Sequence, residues 1–529
     1  MMNDMLHKKL LNLKPTSKFD FLIDVLGEDV LETLDLDISF SNIETLNKLI
    51  GKVDFAVLYD EDIMQKVLYL FTEEELKSIF GVVSIPDLLN RMKPYKGIEA
   101  TNRVFSSTLE SSNKRFFELL DYQYIMKNRV LHYFNNSVEA STAIIHMPTG
   151  SGKTKTTMHI LIDFILSSNN SNVTLLWLAQ SKELVEQAFY SFEQAWETLG
   201  VGNIISTVLV GDNKLDSNTS GVIFSTYQKL DSLYSKGDRD YLILQERTSM
   251  IVCDEAHHAA AKSWRKPIVD IVNNNSHLIG LTATPGRGGK DVNVSELKSM
   301  FSIIFTIDMK TAYKTYMTDI EFRNTFSESH DFDPVVELQN RGILSYVYRE
   351  EIVVDKYSKE DKKQLLSAIN ENTTLKILSK NRYRNKMILD KLLEINERGL
   401  QTIVFACNNN HAYLLQKLLL LNDIQAGVVT DRTPKDLRDK TILEFKKGNL
   451  KFIINNKILT TGFDSPNIDC VFITKATSSA ITYSQMIGRG LRGPKVGGNH
   501  SCILVDVIDN FKSYSNENKI FNYFKKYWR

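Results

Sequence analysis

The run Met147-Pro148-Thr149-Gly150-Ser151-Gly152-Lys153-Thr154 has the composition of a loop that cradles phosphate. Gly150 and Gly152, interleaved with Thr149 and Ser151, let backbone N–H groups approach anionic oxygens. Lys153 brings a positive charge to the terminal phosphates, and the Thr154 hydroxyl is a magnesium ligand by type. Further along, Cys253-Asp254-Glu255-Ala256-His257 closes the apolar run Met250-Ile251-Val252. Two adjacent carboxylates at the end of a buried strand can divide one task. Asp254 holds the magnesium, and Glu255 polarises a water for attack on the γ-phosphate. In this order the two runs point to hydrolysis of ATP with Mg2+. One position departs from the common loop pattern, which has glycine where this chain has Met147.

These groups act together only if strands deliver them to one edge of a sheet. Residues 143–147, 173–178, 222–225, 251–253 and 278–281 are short, nearly continuous apolar runs, the pattern of parallel strands buried on both faces. A second series follows at 402–406, 426–429, 452–454, 470–473 and 501–505. The fold class read from this is α/β, with two tandem parallel sheets. Expected domains are a helical accessory segment over 1–108, a first sheet domain over 109–356 and a second over 357–529. Residues 1–108 read as helical and separate. Apolar positions recur through 19–26 and 63–71, and Thr72-Glu73-Glu74-Glu75 has the form of a helix start. The stretch 290–395 carries no obvious chemistry.

A chain of 529 residues is too long for one core. Its 43% apolar and 24% charged content is that of an ordinary globular protein. No apolar stretch reaches the ~18 residues of a membrane span, and the first residues lack an apolar signal core. The four cysteines, Cys253, Cys407, Cys470 and Cys502, lie unpaired in apolar runs. They read as core residues of a reducing, cytoplasmic environment rather than zinc ligands or a disulfide framework. Net charge is zero but unevenly spread: residues 1–100 carry −7, and 101–529 carry +7. A polyanion-binding surface is therefore expected outside the first hundred residues, which instead suit a protein partner.

The motifs between about 115 and 510 arrive in an order that resembles superfamily 2 helicases. Asp121-Tyr122-Gln123 resembles the glutamine element that reads adenine, and the late-glycine phosphate loop is similar to that family's version. Leu178-Ala179-Gln180-Ser181 and Ser225-Thr226-Tyr227-Gln228 resemble strand-contacting elements. Gly280-Leu281-Thr282-Ala283-Thr284-Pro285 resembles the segment that couples hydrolysis to movement. Thr460-Thr461-Gly462-Phe463-Asp464 and Gln485-Met486-Ile487-Gly488-Arg489-Gly490-Leu491-Arg492 resemble the last two elements. The combination is most similar to the branch of restriction-enzyme motor subunits and DNA-repair helicases.

The resemblance implies two RecA-like domains with ATP between them. Lys153, Thr154, Asp254 and Glu255 would come from the first. Gln485, Arg489 and Arg492 would come from the second, the two arginines on one side of a helix and aimed at charge that develops on the γ-phosphate. It places Gln123, Gly462 and Asp464 at the nucleotide. Gln180, Ser181, Thr226 and Thr460 fall on the sugar-phosphate backbone, and His257, Thr282 and Thr284 on the coupling path. A helix cap or turn residue is the alternative reading of each of the four backbone contacts. The implied partner is nucleic acid, DNA ahead of RNA, with no membrane. Residues 511–529, rich in aromatic and basic side chains, read either as a strand-binding tail or as a final helix packed on the second sheet. No nuclease or methyltransferase signature is present, so a role in restriction or antiviral defence requires a partner that cuts. Two classes of activity stay open: a translocase, and an ATP-gated clamp or sensor that unwinds little.

Overall fold

The computed structural model describes residues 2–26, 28–33, 43–51, 68–80, 84, 86, 106–110, 118–136, 141–168, 173–216, 220–273, 276–283, 297–327, 329–368, 370–460, 465, 467–477 and 479–509. Thr284, Gly462, Asp464 and the tail 511–529 lie outside them, as does the side chain of Thr460.

The first sheet has eight strands: β1 (Ser106–Glu110), β2 (Thr142–His146), β3 (Thr174–Ala179), β4 (Asn203–Leu209), β5 (Gly221–Thr226), β6 (Thr248–Cys253), β7 (His277–Thr282) and β8 (Ile303–Thr306). Their order is β1-β4-β5-β3-β6-β7-β2-β8, all parallel except β1, which runs antiparallel to β4 at the edge. The central strands β3 and β5 are buried along their whole length, as continuous apolar runs require. The phosphate loop therefore follows a strand near one edge, while the paired carboxylates follow the strand beside β3.

The second sheet has six strands: β9 (Tyr346–Val354), β10 (Thr402–Phe405), β11 (Ala426–Val429), β12 (Phe452–Asn455), β13 (Cys470–Ile473) and β14 (Ser501–Asp509). They are ordered β11-β12-β10-β13-β14-β9 and are all parallel. β9 pairs with β14 along nine residues, so this sheet begins at Tyr346 and not at the expected 357. The strand escapes notice in the sequence because Tyr-Val-Tyr-Arg-Glu-Glu is charged and half-exposed, as an edge strand is.

The described N-terminal helices are Met2–Leu11, Pro15–Leu26, Glu28–Thr33, Ile43–Gly51 and Glu73–Phe80; the second covers the periodic run 19–26 and the last begins after Thr72 as expected, whereas 63–67 of the other periodic run lie outside the described residues. These helices are not separate. Leu22, Val25, Leu46, Ile50, Leu68 and Leu76 join one apolar core with Ile388, Leu392, Val404, Leu415 and Phe472 of the second sheet domain. Helix Glu28–Thr33 packs on helices Arg382–Glu397 and Asn409–Leu420, and Lys417 Nζ donates to the carbonyl of Leu26 at 3.1 Å. The amphipathic faces that look self-contained in sequence are used to cover one face of the second sheet.

Candidate active site between the two sheets

β2 ends at His146 and the chain turns through 147–152 into helix Lys153–Ser167. Gly150 and Gly152 have φ of +84° and +88°, the left-handed region that glycine enters at little cost. A Cβ at Gly152 would lie 2.2 Å from Gln123 Nε2, so the loop is also closed against the helix before it. Gln123, on helix Asp121–Asn135, donates through Nε2 to the carbonyl of Ser151 at 2.9 Å, and its Oε1 accepts from Leu120 N at 2.9 Å. The Tyr122 hydroxyl donates to the same Ser151 carbonyl at 2.8 Å. Gln123 thus clamps the loop as well as standing beside it. Lys153 Nζ donates to the carbonyl of Met147 at 3.1 Å. Enclosure lowers the pKa of its ammonium, the carboxylates of Glu255 and Asp254 pull it back up, and the charge of Arg489 lowers it again.

The carboxylates sit where β6 meets its neighbours. Asp254 N–H donates to Leu178 O on β3 at 2.9 Å, and Ala256 N–H donates to Leu281 O on β7 at 2.8 Å. Between these anchors Glu255 is held at φ 51°, left-handed for a residue with a Cβ. Such a conformation costs on the order of 1–3 kcal/mol and persists only where neighbours impose it. Glu255 N–H donates to Asp254 Oδ1 at 3.0 Å, which orients that carboxylate. Burial and the adjacent Glu255 charge raise the pKa of Asp254, with Lys153 opposing. Two carboxylates face the ammonium of Lys153, and Thr154 with its hydroxyl is the next residue in the chain. This set of hard oxygens fits a magnesium ion.

His257 Nδ1 lies 3.6 Å from Glu255 Oε2, and burial pushes this histidine down to about 4, so it is neutral at pH 7. Thr282 is buried at the end of β7, and its carbonyl accepts from Met147 N at 3.2 Å. The end of β7, which holds this expected coupling residue, is thereby tied to the phosphate loop. Tyr227 carries a role that sequence reasoning missed. Its hydroxyl donates to the Asp254 carbonyl at 2.8 Å, and its ring stacks on Trp264 with centroids 5.2 Å apart. It follows Thr226 directly, so a candidate strand contact and the carboxylate turn share one rigid side chain. An aromatic after a strand gives no hint of that partner.

Of the expected strand contacts, Gln180 is exposed at the end of β3. Ser181 and Thr226 are helix N-caps, accepting from Leu184 N at 3.4 Å and Lys229 N at 3.1 Å. Both helix starts lie at the carboxyl edge of the first sheet. Backbone N–H groups there present partial positive charge to an anion.

The second sheet closes the cleft. Gln485 lies on helix Ala480–Ile487, which ends in a 3-10 turn over Gly488–Gly490. Arg489 and Arg492 therefore do not share a helix face as their spacing suggests. Arg489 Nε donates to the Gln485 carbonyl at 3.3 Å. Arg492 lies beyond the turn, bridged antiparallel to Leu344. Close packing sets this break: a Cβ at Gly490 would lie 2.2 Å from Cys502 Sγ, and one at Gly488 would lie 2.1 Å from Thr149 Cγ2 of the phosphate loop. Across the same seam, a Cβ at Gly150 would lie 3.6 Å from the carbonyl oxygen of Leu491. Arg341, just before Leu344, pairs with Asp121 at 2.7 Å, tying the inter-sheet connection to the start of the Gln123 helix.

A phosphate loop and a carboxylate turn on one sheet, met by a glycine-arginine turn from a second, define the class: a fold of two tandem parallel-sheet domains with a candidate phosphate site at their seam. Residues 116–287 match the family described as type III restriction enzyme, res subunit, and 384–493 match the helicase conserved C-terminal domain. The putative ATP-dependent helicase IRC3 of Saccharomyces cerevisiae is 28% identical over 68% of this chain and 47% of its own length. This chain therefore spans about half of that relative. A DNA 3'-5' translocase, XPB2 of Sulfurisphaera tokodaii, is 22% identical over 75% of this chain and 84% of its own. Putative helicase 22 of a Sulfolobus islandicus filamentous virus is 24% identical over 83% and 73%. The chain belongs to the superfamily 2 helicases, near the branches that hold restriction-enzyme and DNA-repair motors. Among the described residues no helix is long and apolar enough to cross a membrane.

Proposed function

We propose that this protein hydrolyses ATP in the cleft between its sheets and uses the cycle of closing and opening to move along nucleic acid, DNA in preference to RNA. The observation that carries the reading is the meeting of Thr149 with Gly488 across one seam, where the charges of Glu255, Asp254 and Arg489 all act on Lys153. In this reading Lys153 and the N–H groups of 150–154 hold the phosphates, and Glu255 accepts the proton of the attacking water. Arg489 and Arg492 bring positive charge from the other domain, so that turnover requires closure. A magnesium ion, held by Thr154 and Asp254, would draw charge from the phosphate oxygens. Tyr227 and the Thr282–Met147 bond link that chemistry to the strand-facing caps. The relative that is a DNA translocase supports the preference for DNA. The outward side of the acidic N-terminal helices is the surface offered to a protein partner.

The test pairs Lys153→Ala with Glu255→Gln. The first should lose ATP affinity and turnover together. The second should still bind ATP while turnover falls by orders of magnitude. Hydrolysis is measured with single-stranded DNA, duplex DNA and RNA side by side. Parental turnover by Glu255→Gln, or equal stimulation by RNA and DNA, overturns the corresponding part of the proposal.

A further inference from the structure

The helices between β9 and β10 form a cap on the carboxyl edge of the second sheet. Helices Lys359–Ser367 and Glu371–Lys380 pack Leu365, Leu375 and Leu378 onto Cys407 and Ala476, just past the ends of β10 and β13. Asn408, the residue that caps the helix after β10, donates to Ser379 Oγ at 2.9 Å. Because β10, β12, β13, β14 and β9 are parallel, this cap stands on the same edge from which the loop bearing Thr460 emerges.

Between the cap and the turn after β9 lies an open cleft of about 800 Å³. Lys356, Lys376, Lys380 and Arg382 line it against one acid, Asp361, whose Oδ2 accepts from Asn381 at 2.9 Å. Lys359, Lys362 and Lys363 extend the positive surface along the adjoining helix. Two aromatic rings, Tyr357 and Tyr383, form part of the wall, with Lys356 Nζ 5.3 Å from the centroid of Tyr383. The wall is braced from behind. The Tyr357 hydroxyl donates to Asp509, which is gripped by the fully buried Arg384 at 2.8 and 3.0 Å. Cations spaced around a groove, with aromatic faces among them and a rigid floor, are what a sequence-tolerant site for a single strand consists of.

We propose that this cleft is a second nucleic-acid contact. It would hold the sugar-phosphate backbone of a single strand where it leaves the carboxyl edge of the second sheet, with Lys356, Lys380 and Arg382 on phosphates and Tyr383 against a base. The inference rests on the proposed function and extends its strand path onto a region without family motifs.

The test uses the full chain and the triple variant Lys356→Glu, Lys380→Glu, Arg382→Glu, with labelled oligo-dT and oligo-U as probes. Neutralising three phosphates contributes roughly 2 to the slope of log affinity against log salt for a single strand. The variant should lose about that much slope, so that raising salt fourfold weakens the parent roughly 20-fold more than the variant. Strand-independent ATPase and the melting temperature should be unchanged. A strand carrying 5-iodouracil should crosslink to Tyr383 in the parent, which separates direct contact from a long-range field. An unaltered salt slope, or crosslinks that map only outside 356–383, overturns the proposal while leaving the motor reading intact. A parent that binds neither strand overturns both.

Discussion

Gly488 meets the phosphate loop so closely that adding one methyl group there should act as a wedge. Its backbone, at φ −54° and ψ −16°, is ordinary for alanine, so Gly488→Ala brings no conformational strain of its own. The new Cβ would lie 2.1 Å from Thr149 Cγ2 and 2.8 Å from Thr149 Cβ, where ordinary contact begins at 3.4 Å. One side of the seam must therefore withdraw by more than an ångström. Arg489, the next residue, withdraws with it. A misplacement of about 1 Å in a catalytic constellation costs on the order of 100-fold in rate, about 2.7 kcal/mol of barrier. ATP affinity set by the first sheet alone should change much less, and the melting temperature should hold. Steady-state ATPase at saturating nucleotide, with KM and a thermal melt, separates these outcomes. Thr149→Ser removes the methyl carbon that the wedge strikes first, so the double variant should recover part of the loss. Parental turnover by Gly488→Ala, or a double variant no faster than the single, refutes the view that the sheets meet at this contact during catalysis.

Tyr227→Phe keeps the stack on Trp264 but removes the donor to the Asp254 carbonyl. Denaturant unfolding should show a loss of about 1 kcal/mol, and stimulation of ATPase by a strand should fall more than the basal rate. Removing residues 1–108 uncovers the apolar face of helices Arg382–Glu397 and Asn409–Leu420; the truncated chain should aggregate or melt earlier on size-exclusion chromatography and calorimetry, and parental behaviour would show the shared core to be dispensable. Acid should destabilise the fold through buried imidazoles: burial pushes His257 to about 4 and His411 to about 3, whereas unfolded histidines titrate near 6.5. The unfolded state takes up protons first, so this contribution is complete above about pH 6.5 and shrinks as pH falls through the window down to those values. By pH 5 each histidine should have lost roughly 2 kcal/mol. His411→Gln should flatten the pH dependence of the denaturation midpoint, and an unchanged profile counts against the assignment.

The strands legible in the sequence were those buried on both faces. β2, β3, β5, β6 and β7, and then β10 to β14, announce themselves as apolar runs because strands covered on both faces are built mainly from apolar side chains. Partly exposed strands obey a weaker rule. The edge strands β1, β8 and β9, and β4 next to the edge, are short, polar or half-exposed, and only their partners define them, which is why the second sheet begins earlier than its composition suggests. The chemistry followed the same division. Gly150, Gly152, Lys153, Asp254 and Glu255 could be named from residue type and spacing, since phosphate and water place local demands on a loop. Three features could not be named that way. The left-handed backbone of Glu255, the Tyr227 bond to Asp254 and the contact of Gly488 with Thr149 each join segments far apart in the chain. The spacing of Arg489 and Arg492 suggested one helix, and packing against Cys502 and Thr149 broke it. The apolar periodicity of residues 19–26 determined that a helix would form there. Only the tertiary structure determined that its buried face would be against the second sheet, because an amphipathic stripe specifies that it must be covered and not by what.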